Sequence, residues 1–225
     1  MSVAPIFFDG INNNGRQDRP FLIFVEGTDD AHFLDPILQE IGADPYLIGT
    51  IIVGGTSKFA SALTFFKKSR FFKNVRGIVI IRDADQNRTA AIKETNDSFL
   101  KEFNGVVSHA GFTETESLRL GLFVFPNEEE MGDLEKLCLS TVKGSILDNR
   151  VENYMTDIQK YGELPHFHKR KAQVFLAAIP GELCRGAGMG FKRGFFDDAH
   201  GALLPLKIFL KDFVSNSKEK PSLST

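Results

Sequence analysis

The sequence predicts an α/β protein: a mostly parallel sheet of four strands flanked by helices, followed by a helical extension. Three observations predict it. Short runs that are apolar throughout alternate with longer stretches of helical periodicity over residues 21–142. Each run reads as a strand buried on both faces, without the polar alternation of a half-exposed one. Beyond about residue 130 the strand signals weaken while helical ones persist to about residue 215.

Taken in order, residues 1–20 are polar and rich in Asn and Gly after a short apolar start, and predict a loose arm. Phe21-Leu22-Ile23-Phe24-Val25 is the first strand, closed by Glu26-Gly27. Thr28 is the expected cap of a helix running to about Ile41, with Phe33, Leu34, Ile37, Leu38 and Ile41 at helical spacing. Ile48–Val53 is the second strand, stopped by Gly54-Gly55, and Thr56 or Ser57 caps a helix that buries Phe59, Leu63 and Phe66. Gly77–Ile81 is the third strand, with Asp83-Ala84-Asp85 directly behind it, and a polar helix covers Thr89–Phe103. Leu120–Phe125 is the fourth, broken by Pro126-Asn127. A helix is expected over Met131–Val142, and residues 143–215 form the extension, with helices expected over Ser145–Tyr161, Lys169–Ile179 and Leu203–Val214. A frayed tail from residue 216 completes the chain.

Composition narrows the function. Among 225 residues, 27 basic side chains face 29 acidic ones, so any nucleic-acid site must come from local clustering, not from a global positive field. Cys138 and Cys184 are too few for a disulfide framework and lack metal-ligand spacing. No apolar run approaches the roughly 18 residues of a membrane span, and residues 1–19 lack a leader pattern. The expectation is a soluble, cytoplasmic protein without a membrane partner. The 22 Phe, beside 3 Tyr and no Trp, sit mostly in apolar strings and read as core filler.

Right-handed crossovers put all strand C-termini on one edge, and ligands bind outside that edge. Glu26 ends the first strand there, and Asp83 with Asp85 the third. Carboxylates gathered at one edge repel and raise one another's pKa. A hard cation such as Mg²⁺, which takes oxygen ligands, offsets that repulsion. Each acid also has a plainer reading. Asp29 in a first helical turn is explained by the helix dipole, Asp85 could cap the next helix, and Asp83 could be a turn residue.

Phe24-Val25-Glu26-Gly27-Thr28-Asp29-Asp30 followed by Ile80-Ile81-Arg82-Asp83-Ala84-Asp85 resembles the Toprim domain of topoisomerases, bacterial primases and OLD-family nucleases. The shared pattern is a Glu-Gly at the end of the first strand and a DxD at the end of the third, covering about residues 21–142. Within that group the chain is most similar to a small Toprim-like family related to the OLD nucleases, through Phe195-Phe196-Asp197 and Pro205-Leu206-Lys207-Ile208-Phe209-Leu210. The resemblance implies a Rossmann-like sheet and makes Glu26, Asp83 and Asp85 the metal and acid/base group. It adds Asp30, four residues after the Glu, and a carboxylate from a later helix, for which Glu135 fits better than Asp133. It also implies a lysine beyond the sheet. Lys171 is taken ahead of Lys169. Glu128-Glu129-Glu130 reads as a solvated acidic turn.

Other Toprim chemistries are disfavoured. Tyr46, Tyr154 and Tyr161 lie in no topoisomerase-like partner domain, two distant cysteines make no primase zinc module, and no Walker-type loop is present. Gly54-Gly55-Thr56-Ser57-Lys58 imitates the end of such a loop and reads as a sheet-edge turn, with a phosphate contact as the minor reading. The expected activity is therefore hydrolysis of phosphodiester bonds in DNA or RNA with Mg²⁺ or Mn²⁺, a hydrolase in which Lys171 offsets charge on the phosphate oxygens. Basic runs at Lys67, Lys68 and Arg70, and at Lys169, Arg170, Lys192 and Arg193, are the expected nucleic-acid track. The resemblance admits a defence-system effector, a separate ATPase subunit and a homodimer. The alternative is a non-catalytic Toprim module that binds metal or nucleic acid and regulates a partner ATPase.

Overall fold

The computed structural model describes residues 6–7, 19–127, 131–181 and 183–217. Its centre is a six-stranded sheet with strand order β1-β3-β2-β4-β6-β5. The strands are β1 (Ile6–Phe7), β2 (Phe21–Val25), β3 (Ile48–Ile52), β4 (Gly77–Asp83), β5 (Gly111–Glu114) and β6 (Arg119–Phe125). All neighbours pair in parallel except β5, which runs antiparallel to β6. The expected four-stranded sheet is thus the centre of a larger one. A two-residue strand from the supposed arm extends one edge, and a short strand of mixed polarity extends the other. The acidic turn at 128–130, the rest of the arm and residues 218–225 lie outside the described residues.

Every residue of β2, β3 and β4 is buried, as a parallel sheet covered on both faces requires. On one face, α2 (Phe59–Lys67) and α3 (Arg88–Phe103) seal a core around Phe24, Phe66 and Phe99. On the other, α1 (Thr28–Glu40) is joined by α4 (Leu134–Thr141), α5 (Ile146–Gln159), α6 (Phe167–Ala177), α7 (Ala187–Lys192) and α8 (Leu204–Ser217). Their apolar side chains share a single cluster with Ile23, Val25, Val79 and Ile81 of the sheet. Seven Phe are among the largest fully buried side chains, which bears out Phe as core filler. Among the described residues no helix is long and apolar enough to cross a membrane.

Three helix starts differ from expectation, and each matters to the site. Gly27, not Thr28, caps α1, and its N–H donates to Asp30 Oδ2 at 2.7 Å. A 3-10 turn, Thr56–Lys58, leads into α2 with neither hydroxyl capping it. Asn87 caps α3 by accepting from the Ala90 N–H at 2.9 Å, so Asp85 is not used as a cap. The Gly-rich stretch 186–190 opens helix α7, although glycine disfavours helix by about 1 kcal/mol per residue. Close contact explains the glycines. A Cβ on Gly188 would lie 2.7 Å from the Asp29 carbonyl carbon, and one on Gly190 2.6 Å from Leu176 Cδ2.

Candidate functional site

Parallel register assembles the rim. Val25 pairs with Ile81, so Glu26, one residue past the end of β2, stands level with Arg82 and beside Asp83 at the end of β4. Asp30 comes from the first turn of α1 and Glu135 from the first turn of α4. The loop carrying Asp85 is stitched to the segment before α4. Asp85 and Gly132 exchange backbone hydrogen bonds of 2.8 and 3.0 Å, and Asp83 Oδ1 accepts from the Leu134 N–H at 2.9 Å. Asp85 holds a left-handed φ of 52° there. That strained backbone is retained where two loops must meet. Asp133 caps α4, its Oδ1 accepting from the Lys136 N–H at 2.9 Å, and Glu135 follows in the first turn of the same helix.

The electrostatics follow from packing these acids together. Asp30 and Asp83 are each only 9 % exposed. Burial is the main reason that the Asp30 carboxyl is pushed up to about 7. The Gly27 N–H opposes the shift, and Glu26, Asp29 and Glu135 add to it. Burial, then repulsion from Asp30, Glu135, Asp133 and Glu26, holds Asp83 well above the ordinary carboxyl range. Burial and Asp133 bring Glu135 to about 7 against the pull of its own backbone N–H and of Lys169. Burial and Asp85 raise Glu26, partly countered by Lys169, Arg82 and the Thr56 N–H. Lys169 is the ammonium common to these acids. Burial alone would lower its pKa, but Glu135, Asp83, Asp133 and Glu26 outweigh that and raise it.

A pH dependence follows. Unfolded Asp30 and Glu135 lose their protons near pH 4, whereas the folded protein holds them to about pH 7. Their contribution to stability is therefore complete below pH 4 and is lost as pH rises to 7. In metal-free buffer the melting temperature should fall between pH 5 and pH 7.5, and Asp30→Asn should flatten that fall. Thermal denaturation across the range measures it.

A family model described as a protein of unknown function (DUF3226) matches residues 20–215. The chain belongs to that family. No curated protein matches the chain. A solved structure, the C-terminal region of the Xanthomonas campestris pv. campestris OLD protein, is similar at 15 % identity with a TM-score of 0.43, covering 88 % of this chain and 95 % of that one.

In this DUF3226 chain the rim gathers Glu26, Asp30, Asp83, Asp85 and Glu135 but not Lys171. The Lys171 ammonium is held at 2.7 Å by Asp148 and 2.6 Å by Glu152, both of α5, so the lysine at the carboxylates is Lys169. The expected nucleic-acid track is also divided. Lys67, Lys68 and Arg70 precede β4 and stand at its opposite end, about 20 Å along the strand from Asp83. Lys67 pairs with Glu102, and Arg70 lies 4.9 Å over the Phe71 ring. Arg170 Nε donates to the Pro165 carbonyl, and Lys192 is paired with buried Asp35 at 2.7 Å. Arg193 ends α7 beside Lys192.

Sequence reasoning missed the use of Asp29. Its two carboxylate oxygens accept from the Gly188 and Met189 N–H groups at 2.9 and 3.0 Å, fastening α7 to the helix that carries Asp30. The signal was the Gly186-x-Gly188 spacing opposite an acid.

The donor chemistry suits a hard divalent ion, because every rim donor is a carboxylate oxygen. Among the described residues Asp83 Oδ2 and Asp30 Oδ1 accept no hydrogen bond, each acid having committed only its other oxygen. As the side chains stand, no three of the described His, Cys, Asp or Glu groups close on one point where an ion would sit.

Proposed function

We propose that the chain is a nuclease of Toprim type that hydrolyses phosphodiester bonds of DNA or RNA with Mg²⁺ or Mn²⁺. One observation carries the reading: five acids from three stretches of chain, 26–30, 83–85 and 135, meet at one strand-end rim, where burial and mutual repulsion raise Glu26, Asp30, Asp83 and Glu135 together. A protein keeps so unfavourable an arrangement where a positive species is to be received. Glu26, Asp83 and Asp85 would hold one ion, and Asp30 with Glu135 a second. When bound, such ions polarise the phosphate and stabilise the leaving oxygen.

The chain's own residues supply the rest. Glu26 is half-buried, with its proton affinity raised, and is the base for the attacking water. Lys169 offsets negative charge on the phosphate oxygens. Its ammonium stays charged because the surrounding acids outweigh its burial. A role as an effector against phage or plasmids, working with a separate ATPase subunit, rests on the Toprim resemblance alone.

The test is incubation of the full chain with plasmid, linear DNA and tRNA in Mg²⁺ or Mn²⁺, beside Glu26→Gln. Cleavage by the unaltered protein that is lost both in Glu26→Gln and with chelator is the expected result. Cleavage that persists in both overturns the reading.

A further inference from the structure

The loop between α6 and α7 brings a second cation to the height of the acidic rim. Three contacts fix the course of α7. Asp29 accepts from the Gly188 N–H at 2.9 Å, the Phe33 and Phe191 ring centroids are 4.6 Å apart, and Asp35 pairs with Lys192 at 2.7 Å. The partners advance along both helices together, so α7 runs parallel to α1 and, like it, begins beside Asp30. α6 also starts at the rim, where Lys169 lies in the field of Glu135 and Asp83, and descends until Leu176 packs against Gly190. Counted back from that contact by helical rise, Lys169 stands about 10 Å above it. Arg185, one residue before the extended cap Gly186, stands about 9 Å above it.

The loop holds Arg185 outward. Cys184 is buried, with its Sγ 3.5 Å from the Gly186 carbonyl oxygen, and a Cβ on Gly186 would lie 2.6 Å from Asp29 Cγ. Positions 184 and 186 therefore both face inward, and with Gly186 extended the side chain between them faces solvent. Arg185 is exposed, and among the described residues it has no hydrogen-bond, ion-pair or ring partner. Asp29, against which Gly186 rests, has both oxygens committed to N–H groups of α7. The result is a permanent positive charge on a backbone pinned at both neighbours, open to water and unclaimed by the acids around it. An anion that meets it finds the main chain already ordered, which lowers the entropy lost on binding.

We propose that Arg185 grips a backbone phosphate of the polynucleotide, one flanking the phosphodiester held at the acidic rim, on the α7 side. That the anion belongs to a nucleic acid rests on the nuclease reading. The two cations of this side divide the work. Lys169 faces the acids and serves the reacting phosphate, whereas Arg185, at the same height, faces away from them and meets the strand as it leaves. Its planar fork pairs with two oxygens of one phosphate, the bidentate geometry that distinguishes Arg from Lys. Lys67, Lys68 and Arg70 lie at the far end of the sheet, so the path of the strand is over α6 and α7.

The test is binding of a short fluorescein-labelled single-stranded oligonucleotide to the full chain, read by anisotropy over a series of KCl concentrations in EDTA, where no cleavage enters the readout. Arg185→Gln is expected to weaken binding about tenfold at low salt. It should also reduce the slope of log affinity against log salt by about 0.7, the loss of one phosphate contact. Arg185→Lys keeps the charge and should restore the slope while recovering only part of the affinity. Lys101→Gln, an exposed lysine near the far end of α3, should change neither quantity. A merely structural role would lower affinity without moving the slope. An unchanged slope in Arg185→Gln, or an unaltered protein that binds no oligonucleotide, overturns the proposal. An Arg185-dependent slope in a protein that fails the cleavage test upholds the phosphate contact and removes only the nuclease reading. Cleavage with an Arg185-independent slope does the reverse.

Discussion

Asp83→Asn is expected to lower phosphodiester cleavage by at least about a hundredfold while raising the melting temperature at pH 8. The two effects share one cause. The Asp83 carboxyl is held well above its ordinary range, first by burial and then by Asp30 and Glu135, so its negative charge opposes folding. Asparagine has the same shape and keeps an oxygen to accept the Leu134 N–H, which Asp83 Oδ1 now receives at 2.9 Å. Removing the charge therefore relieves the repulsion without breaking the link to α4. For a chain of this size each kcal/mol gained raises the melting temperature by about 2–4 °C. A fall in melting temperature at pH 8 would show that the carboxylate steadies the folded rim. Gain of stability with loss of activity is the signature of a site kept for function.

The second large effect is structural. Gly188→Ala is expected to destabilise the protein by about 3 kcal/mol or more, which lowers the melting temperature by about 6–12 °C. The new methyl would meet the Asp29 carbonyl, with the carbonyl carbon at 2.7 Å and the Phe33 nitrogen at 3.1 Å. Those atoms are helix backbone and yield only if α7 withdraws from α1. Withdrawal also breaks the two hydrogen bonds from α7 to Asp29 and loosens Phe191 from Phe33, whose ring centroids are 4.6 Å apart. An alanine scan of 186–190 monitored by thermal denaturation should show Gly188 as the most sensitive position. Unchanged stability at Gly188 would contradict the close approach.

The core of the sheet was legible because parallel strands buried on both faces carry mostly apolar runs, and β2, β3, β4 and β6 each contain one. β5 was not, because Gly111-Phe112-Thr113-Glu114 contains one apolar side chain and lies at a sheet edge. α7 was hidden by its glycines, where the need for close contact overrides propensity. The rim acids could be read since each stands at or just past a strand end or in a first helical turn. The choice between Lys169 and Lys171 could not. Two residues apart on a helix, they point about 200° apart, and only the packing of α6 against α5 decides which one meets Asp148 and which meets the rim. The position of Lys67, Lys68 and Arg70 was in principle legible: α2 runs back against the strands, so its last turn lies at the end of the sheet away from Glu26.

Asp29 bonds to residues 159 and 160 positions further along the chain. During synthesis, then, the helix bearing Asp30 can form long before its clasp has left the ribosome. Such a distant closure is made late and slowly. A nascent chain that stops short of α7 thus lacks the buttress behind the helix that carries Asp30.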